Sequence, residues 1–471
     1  MKKTGKKGTN RPVKRYLDCY YMTDAEIGVR EMVDTCQKKL PQLKEQIEFW
    51  EAAEVIELTA GEKDSVDIEK IELFEEEADQ KFLQSNGIKA IFTIHSEEAN
   101  LDLVKQVFTA IVETCGGFVC SDTPDFLPYL VRPYTKILHL DAGRKYFAPE
   151  YLKQMIAAMR ETGYREFQIA FGNDGLRLLQ DDMTIDGKSS EEVKAAVKAG
   201  NVEFNGDPSC LIQEEMDEIF ACAAQVGIEI VPLLNMPGHM DTSLNINPAY
   251  RWHSDGKISR NSLDLADEKA VSFALELLEK YASYFASRGS RKFCFGVDEY
   301  ANDIYNLGGL GFNRLLEENR YGQLVAFINR AAAVIKKAGL IPRAFNDGFY
   351  YNEDTSMVLD TDIEVCYWGK GWCGFNCAAV DTIAAKGHPM INCNGAWYYV
   401  LKHENEVQKP VNHPEFESFH PTIFPGNQAF ENPAGAVFCI WCDNSVLRTS
   451  AEVTADMIEQ MKLMAPKLEL Q

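Results

Sequence analysis

The chain has 471 residues, 46% of them apolar, and a formal charge of −23. That is enough for a large barrel plus a smaller domain. The acidic balance excludes a nucleic-acid partner as an expectation but suits neutral ligands such as sugars. No apolar run approaches the roughly 20 residues of a membrane helix, so no membrane partner is expected.

Residues 1–15 lie in the basic opening "MKKTGKKGTNRPVKRY", which no apolar segment follows. It reads as a disordered arm without an export signal, and the expected location is the cytoplasm. The 13 cysteines are scattered, as expected of reduced thiols in that compartment. Cys439 and Cys442 form a C-x-x-C, and Cys373 and Cys377 are near neighbours. No further ligands stand at metal-site spacing, so buried structural thiols are the reading.

Residues 16–131 read as a small α+β domain with a structural or interaction role. "DAEIGVREMVDTCQKKLPQLKEQIEFWEAAEVIEL" has helical spacing broken at Pro41. The acidic run Glu69–Asp79 alternates with Ile71 and Leu73, as a strand with one solvated face would, and lacks a calcium-loop pattern. "IKAIFTI" is a strand by its β-branched content. "NLDLVKQVFTAIVETCG" is a helix ending at Gly116, and "GFVCS" a further strand.

From residue 132 to 471 short apolar runs alternate with helical stretches. The runs are "KILHLD" (136–141), "FQIAFG" (167–172), "IEIVPLL" (228–234), "KFCFGVD" (292–298), "IPRAFND" (341–347), "IEVCYWG" (363–369), "PMINCN" (389–394) and "AVFCIWCD" (436–443). Helical segments such as "PEYLKQMIAAMRETG" end in Gly, as helix C-termini do. Eight such repeats predict an α/β fold, a (β/α)8 TIM barrel. A doubly wound sheet is the alternative, but no G-x-G-x-x-G follows the first run.

A parallel barrel carries its active site at the C-terminal strand ends. Strand one ends at Asp141, with Arg144 just beyond. Strand two leads to Asn173 and Asp174, and strand three to "NMPGHMD" with His239 and Asp241. Strand four ends in Asp298 and Glu299, strand five in Asn346 and Asp347. Trp368, then Trp397 and Tyr398, then Trp441 and Asp443 follow strands six to eight. Acids, amides and aromatic faces at one mouth are the groups that bind sugars. The remaining histidines, His253, His388, His403, His413 and His420, read as surface or capping residues.

The motifs "LHLDAGRKYF", "FGNDGLRL", "LLNMPGHMD", "FGVDEYAND", "AWYYV" and "IWCD" resemble the catalytic domain of glycoside hydrolase family 20, the β-N-acetylhexosaminidases. The resemblance covers about two thirds of the chain. "HLDAGRKYF" and "GVDEYAND" are similar to the modules of bacterial surface hexosaminidases. It implies an exo-acting glycosidase that removes terminal β-linked GlcNAc or GalNAc from oligosaccharides and needs no cofactor or metal. A retaining pair of carboxyls ordinarily flanks the sugar at about 5–5.5 Å. Adjacent residues at one strand end approach from one edge. The missing nucleophile is therefore the substrate's own 2-acetamido oxygen, which forms an oxazolinium ion.

The resemblance also implies roles. Glu299 is the acid and then the base; Asp298 holds the acetamido N–H. Tyr398 bonds the acetamido oxygen, with Trp368, Trp397 and Trp441 as aromatic walls. Asp174 and His239 form a pair reaching the acid, and Asp443 binds the far hydroxyls. Lys136 stands where the resemblance places an Arg for those hydroxyls, with Arg144 as its alternative. Phe345 beside Asn346 replaces a family Trp. A lacto-N-biosidase, which releases a disaccharide, and a non-catalytic carbohydrate-binding protein are the other readings.

Overall fold

The computed structural model describes residues 134–470 except 306–309 and 373. Of the first 133 residues it describes 16–23, 27–39, 41, 47–50, 55–59, 65–71, 90–97, 106–107, 110–112 and 118–121. The expected arm at residues 1–15, most of the acidic run and Cys373 lie outside these. Two compact units divide at Tyr134 and Thr135.

The first unit contains a six-stranded antiparallel sheet. Tyr16–Thr23 pairs with both Ala90–Glu97 and Phe118–Ser121. Ser65–Ile71 continues the sheet beside Ala90–Glu97, followed by Val55–Thr59 and Ile47–Trp50. The helix Val29–Lys39 lies between Tyr16–Thr23 and Ile47–Trp50 in the chain. The helical reading of the segment after Pro41 is corrected here. Its apolar positions in "IEFW" and "VIELT" pair as two strands, where alternation serves a sheet face better than a helix.

The second unit is a closed barrel of eight parallel strands. They are β1 (Thr135–Leu140), β2 (Glu166–Asn173), β3 (Glu229–Met236), β4 (Lys292–Gly296), β5 (Ile341–Phe345), β6 (Glu364–Tyr367), β7 (Met390–Asn392) and β8 (Gly435–Trp441). Each pairs with the next, and β8 closes the ring on β1, with Gly435 opposite Thr135 and Ile440 opposite Leu140. Each of the eight apolar runs becomes a barrel strand. They read as near-continuous apolar runs because helices cover the outside and side chains fill the inside.

The helices include α1 (Pro149–Thr162), α2 (Ser190–Asn205), α3 (Gln213–Gln225), α4 (Glu268–Ser287), α5 (Tyr321–Lys337), α6 (Val380–Ala384) and α7 (Ser450–Met464). Pro149 opens α1, and Gly163, at φ 78°, ends it. Leu152, Met155, Ile156 and Met159 form its buried stripe. A reciprocal Ser189–Glu192 box caps α2, and Thr449–Glu452 caps α7. Between β5 and β6 there is only a 3-10 turn, Tyr351–Glu353. Among the described residues no helix is long and apolar enough to cross a membrane.

Small side chains fill the barrel axis: Ile137, Ala170, Leu233, Cys294, Cys366, Ile391, Cys393, Val437 and Cys439, with Phe345. Trp368, Tyr398 and Trp441 pack on this plug. Cys377, Cys439 and Cys442 are buried free thiols. At the N-terminal end a polar layer crosses the interior. Arg343 donates to Glu166 at 2.7 Å and to Glu364 at 2.6 Å, and Lys292 bonds Glu166 at 2.7 Å.

Candidate active site

The C-terminal mouth holds a cavity of ≈ 380 Å³. Arg144, Asp174, Asp298, Glu299, Trp368, Tyr398, Trp441 and Asp443 line it, joined by Phe204, Phe345, Val400 and His403.

The chain leaves β4 on a strained path. Gly296, Val297, Glu299 and Ala301 all have left-handed φ, at 78°, 77°, 49° and 59°. A β-branched Val there is a true outlier, and each such non-glycine residue costs of order 1–3 kcal/mol. Fixed partners hold the path. Val297 N–H donates to the Met236 carbonyl, Glu299 N–H to Asp347 Oδ2 at 2.9 Å, and Ala301 N–H to Ser262 Oγ at 2.8 Å. Gly296 is required, because a Cβ would lie 1.8 Å from Asn235 Oδ1. Asn235, at the end of β3, in turn donates to Asp298 Oδ1 at 2.7 Å.

The outcome of this path is convergence. His239 Nε2 stands 3.5 Å from Asp298 Oδ2 and 3.4 Å from Glu299 Oε2. Both carboxylates serve one nitrogen, so no sugar ring fits between them. On its other side His239 Nδ1 is 3.2 Å from both oxygens of Asp174. Burial works against a charged His239, but Asp174 and Asp298 outweigh it and raise its pKa well above the usual value. An imidazolium that donates from both nitrogens fits this, although an Arg144 nitrogen also lies 3.2 Å from Nδ1. The proton on Nδ1 belongs to the Asp174 bond, because carboxylates surround the ring. His239, Asp298 and Glu299 are the one described group whose donor atoms lie near enough to share a metal ion.

Burial raises Asp298, with His239 pulling the other way. Burial also acts to raise Glu299, but the His239 hydrogen bond and charge prevail and lower it. The ordinary order of an Asp and a Glu is thus worked against at this pair: the Asp carboxyl is raised and the Glu carboxyl lowered. Asp347 lies beneath them, raised well above the usual range by burial and by the charge of Asp298. It accepts from Glu299 N–H and from the Trp368 indole N–H.

Arg144 gathers the far side. It bonds Asp174 at 2.9 Å, Asp141 at 3.1 Å and Asp443 at 3.3 Å. Gly143 lets its loop lie on β2, since a Cβ would be 2.5 Å from the Asn173 nitrogen. The floor is Trp441, whose ring is 5.9 Å from Tyr398 and 4.4 Å from His139. Burial lowers His139 to about 4, so it is neutral, and Gln168 bonds its Nδ1 at 3.0 Å. The Tyr398 hydroxyl lies 3.5 Å from Cys393 Sγ.

Nine of the twelve sequence-expected site residues meet at this cavity: the eight expected lining residues and His239 between the acids. Three do not line it. Lys136 bonds Glu469 and the Thr162 carbonyl at the opposite end of β1, so its expected place at the site is corrected; Arg144, its alternative, is the one that lines the cavity. Trp397 is buried against Phe419. Asn346 is buried behind the wall, accepting from Trp368 N–H and donating to the Gly369 carbonyl. His403, expected at the surface, is exposed but forms part of the rim; His388 is buried against Tyr350. Sequence reasoning left Asn235, His139 and Phe204 out of the site. The first two stand inside quoted motifs, whereas nothing around Phe204 marks it.

The model of the glycosyl hydrolase family 20 catalytic domain matches residues 136–441, and the chain belongs to that family. A GH20 catalytic module of the pneumococcal exo-β-D-N-acetylglucosaminidase StrH is 34% identical, with a TM-score of 0.66 over 71% of this chain and 83% of that one. Dispersin B, at 17% identity and TM-score 0.53, shares the fold over 71% of this chain and 99% of its own. A lacto-N-biosidase of Bifidobacterium bifidum is 25% identical over 291 residues. That match covers 58% of this chain and only 25% of the relative.

Proposed function

We propose that this glycoside hydrolase is an exo-acting β-N-acetylhexosaminidase that removes terminal β-linked GlcNAc or GalNAc from oligosaccharides, with retention and substrate assistance. One observation carries the reading: Asp298 and Glu299 converge on a single His239 nitrogen. A carboxylate nucleophile on the opposite face of the sugar is thereby missing from the pair, and the 2-acetamido oxygen supplies it.

In this reading the acetamido oxygen forms a bond to C1 as the C1–leaving-oxygen bond breaks. Glu299 gives its proton to the departing oxygen. Asp298 accepts the acetamido N–H and balances the positive charge of the oxazolinium ion. Water then adds at C1 as the bond from C1 to the acetamido oxygen breaks, and Glu299 takes a proton from that water. A sugar that seals the cavity strips water from Glu299, which raises its pKa. The acetamido N–H bonds the ionised form of Asp298, which lowers it. Substrate therefore favours a protonated Glu299 and an ionised Asp298. Tyr398 and Trp368 enclose the acetamido arm, Trp441 carries the ring, and Arg144 with Asp443 holds the far hydroxyls. No metal takes part.

The test is hydrolysis of an aryl N-acetyl-β-glucosaminide and its inhibition by an N-acetylglucosamine thiazoline, which mimics the oxazolinium ion. Release of the aryl group, β product and tight inhibition are expected. Turnover insensitive to the thiazoline contradicts the mechanism. The similarity to a lacto-N-biosidase supports a second reading, release of a disaccharide by the same chemistry.

A further inference from the structure

The wall beyond Arg144 and Asp443 bears on the size of the sugar released. Phe204, half-buried at the end of α2, lines the cavity on that side. Its neighbour Asn205 bridges two catalytic loops. The Asn205 amide donates to the Arg144 carbonyl at 2.6 Å and to Ser445 Oγ at 3.0 Å. Lys145 closes the same seam by donating to the Ser445 carbonyl at 2.8 Å.

The helix end that carries Phe204 is itself fixed. Buried Arg177 donates to Asn205 Oδ1 at 2.8 Å, to the Ser209 carbonyl at 2.9 Å and to the Gly143 carbonyl at 3.2 Å. On the other flank Asn444 N–H bonds the Leu401 carbonyl at 2.8 Å, joining the loop after β8 to the strand that leads to His403. The segments around the far hydroxyls are thus tied to one another in series. Widening the cavity on this side would require breaking the Asn205, Lys145 or Asn444 bonds that join these segments.

We infer that Phe204, held by Asn205 and Arg177, is the stop that restricts the reaction to an unsubstituted terminal N-acetylhexosamine. This rests on the glycosidase reading and on the far hydroxyls facing Arg144 and Asp443. Phe204 is a specificity residue here, with no part in bond breaking. It decides between release of a monosaccharide and release of a disaccharide.

The experiment compares two nitrophenyl β-glycosides on the full chain. One carries N-acetylglucosamine; the other carries the same sugar with a β-galactosyl group on its 3-hydroxyl. For the native chain, kcat/KM for the disaccharide glycoside should be at least about 100-fold below that for the monosaccharide, the range a hydrophobic wall commands. Phe204→Ala should raise the disaccharide-to-monosaccharide ratio about tenfold or more, and Phe204→Leu by less. Comparable hydrolysis of both glycosides by the native chain overturns the stop and leaves the glycosidase intact. A ratio unmoved by either substitution also overturns it. If neither glycoside is cleaved, the glycosidase reading itself fails. The native comparison stands even if a variant does not fold.

Discussion

The two ends of the barrel both bury charge, and they do it differently. At the base, Arg343 and Lys292 face Glu166 and Glu364, two cations against two anions. Burial would raise Glu166, but Arg343 and Lys292 overcome it and hold it at about 2. At the mouth, Arg144 and His239 face Asp141, Asp174, Asp298, Glu299, Asp347 and Asp443. Two cations cannot neutralise six carboxyls, so burial raises Asp298, Asp347 and Asp443. The base is a closed, satisfied network on regular strands. The mouth is under-neutralised and sits on left-handed backbone. At the mouth raised carboxyls and left-handed backbone occur together, as suits a site of chemistry, whereas at the base the carboxyls are lowered and the strands regular.

The largest effect that separates the two ends is on rate. Glu299→Gln should lower kcat on oligosaccharides by about 10²–10⁴-fold, the usual worth of a general acid, without loss of folding. Steady-state kinetics with a poor leaving group measures it; near-normal turnover would remove Glu299 from its role.

Next is stability at the base. Arg343→Met leaves Glu166 and Glu364 buried with Lys292 alone, and should cost about 3–5 kcal/mol in denaturant unfolding. KM should be unchanged wherever the variant is folded. The same network sets an acid limit. Glu166 has its folded pKa depressed from 4.5 to about 2, so its contribution is present above 4.5 and is lost as pH falls towards 2. Unfolding monitored across that interval should show the loss, and Arg343→Met should flatten it.

A smaller effect is a shift of the rate profile. His239 lowers Glu299 and opposes the rise of Asp298. His239→Gln removes that positive charge, so both carboxyls become more basic. Glu299 must be protonated and Asp298 ionised, so both limbs of the kcat/KM bell should move to higher pH. A bell that moves down, or only shrinks, would contradict a protonated His239 between the acids.

Much of the mouth was legible because strand ends carry the function in a parallel barrel, and the Asp298–Glu299, His239 and Asp174 motifs end strands or follow them directly. Lys136 was misplaced for a geometric reason. It lies five residues before Asp141, roughly 16 Å down the strand at about 3.3 Å per residue, which puts it at the base. Trp397 and Tyr398 are adjacent, and only the turn after β7 decides that Tyr398 enters the cavity while Trp397 meets Phe419. The left-handed run at Val297–Ala301 and the Asn205 bridge depend on partners 39 to 240 positions away. No local pattern in the sequence carries them.

The central claim is that Asp298 and Glu299 share an edge because the sugar supplies the nucleophile. The most direct measurement compares aryl β-glycosides of N-acetylglucosamine and of glucose, which differ only at C2. Hydrolysis confined to the 2-acetamido sugar is the predicted result. Comparable hydrolysis of the 2-hydroxy sugar would contradict it and require a nucleophile from the protein.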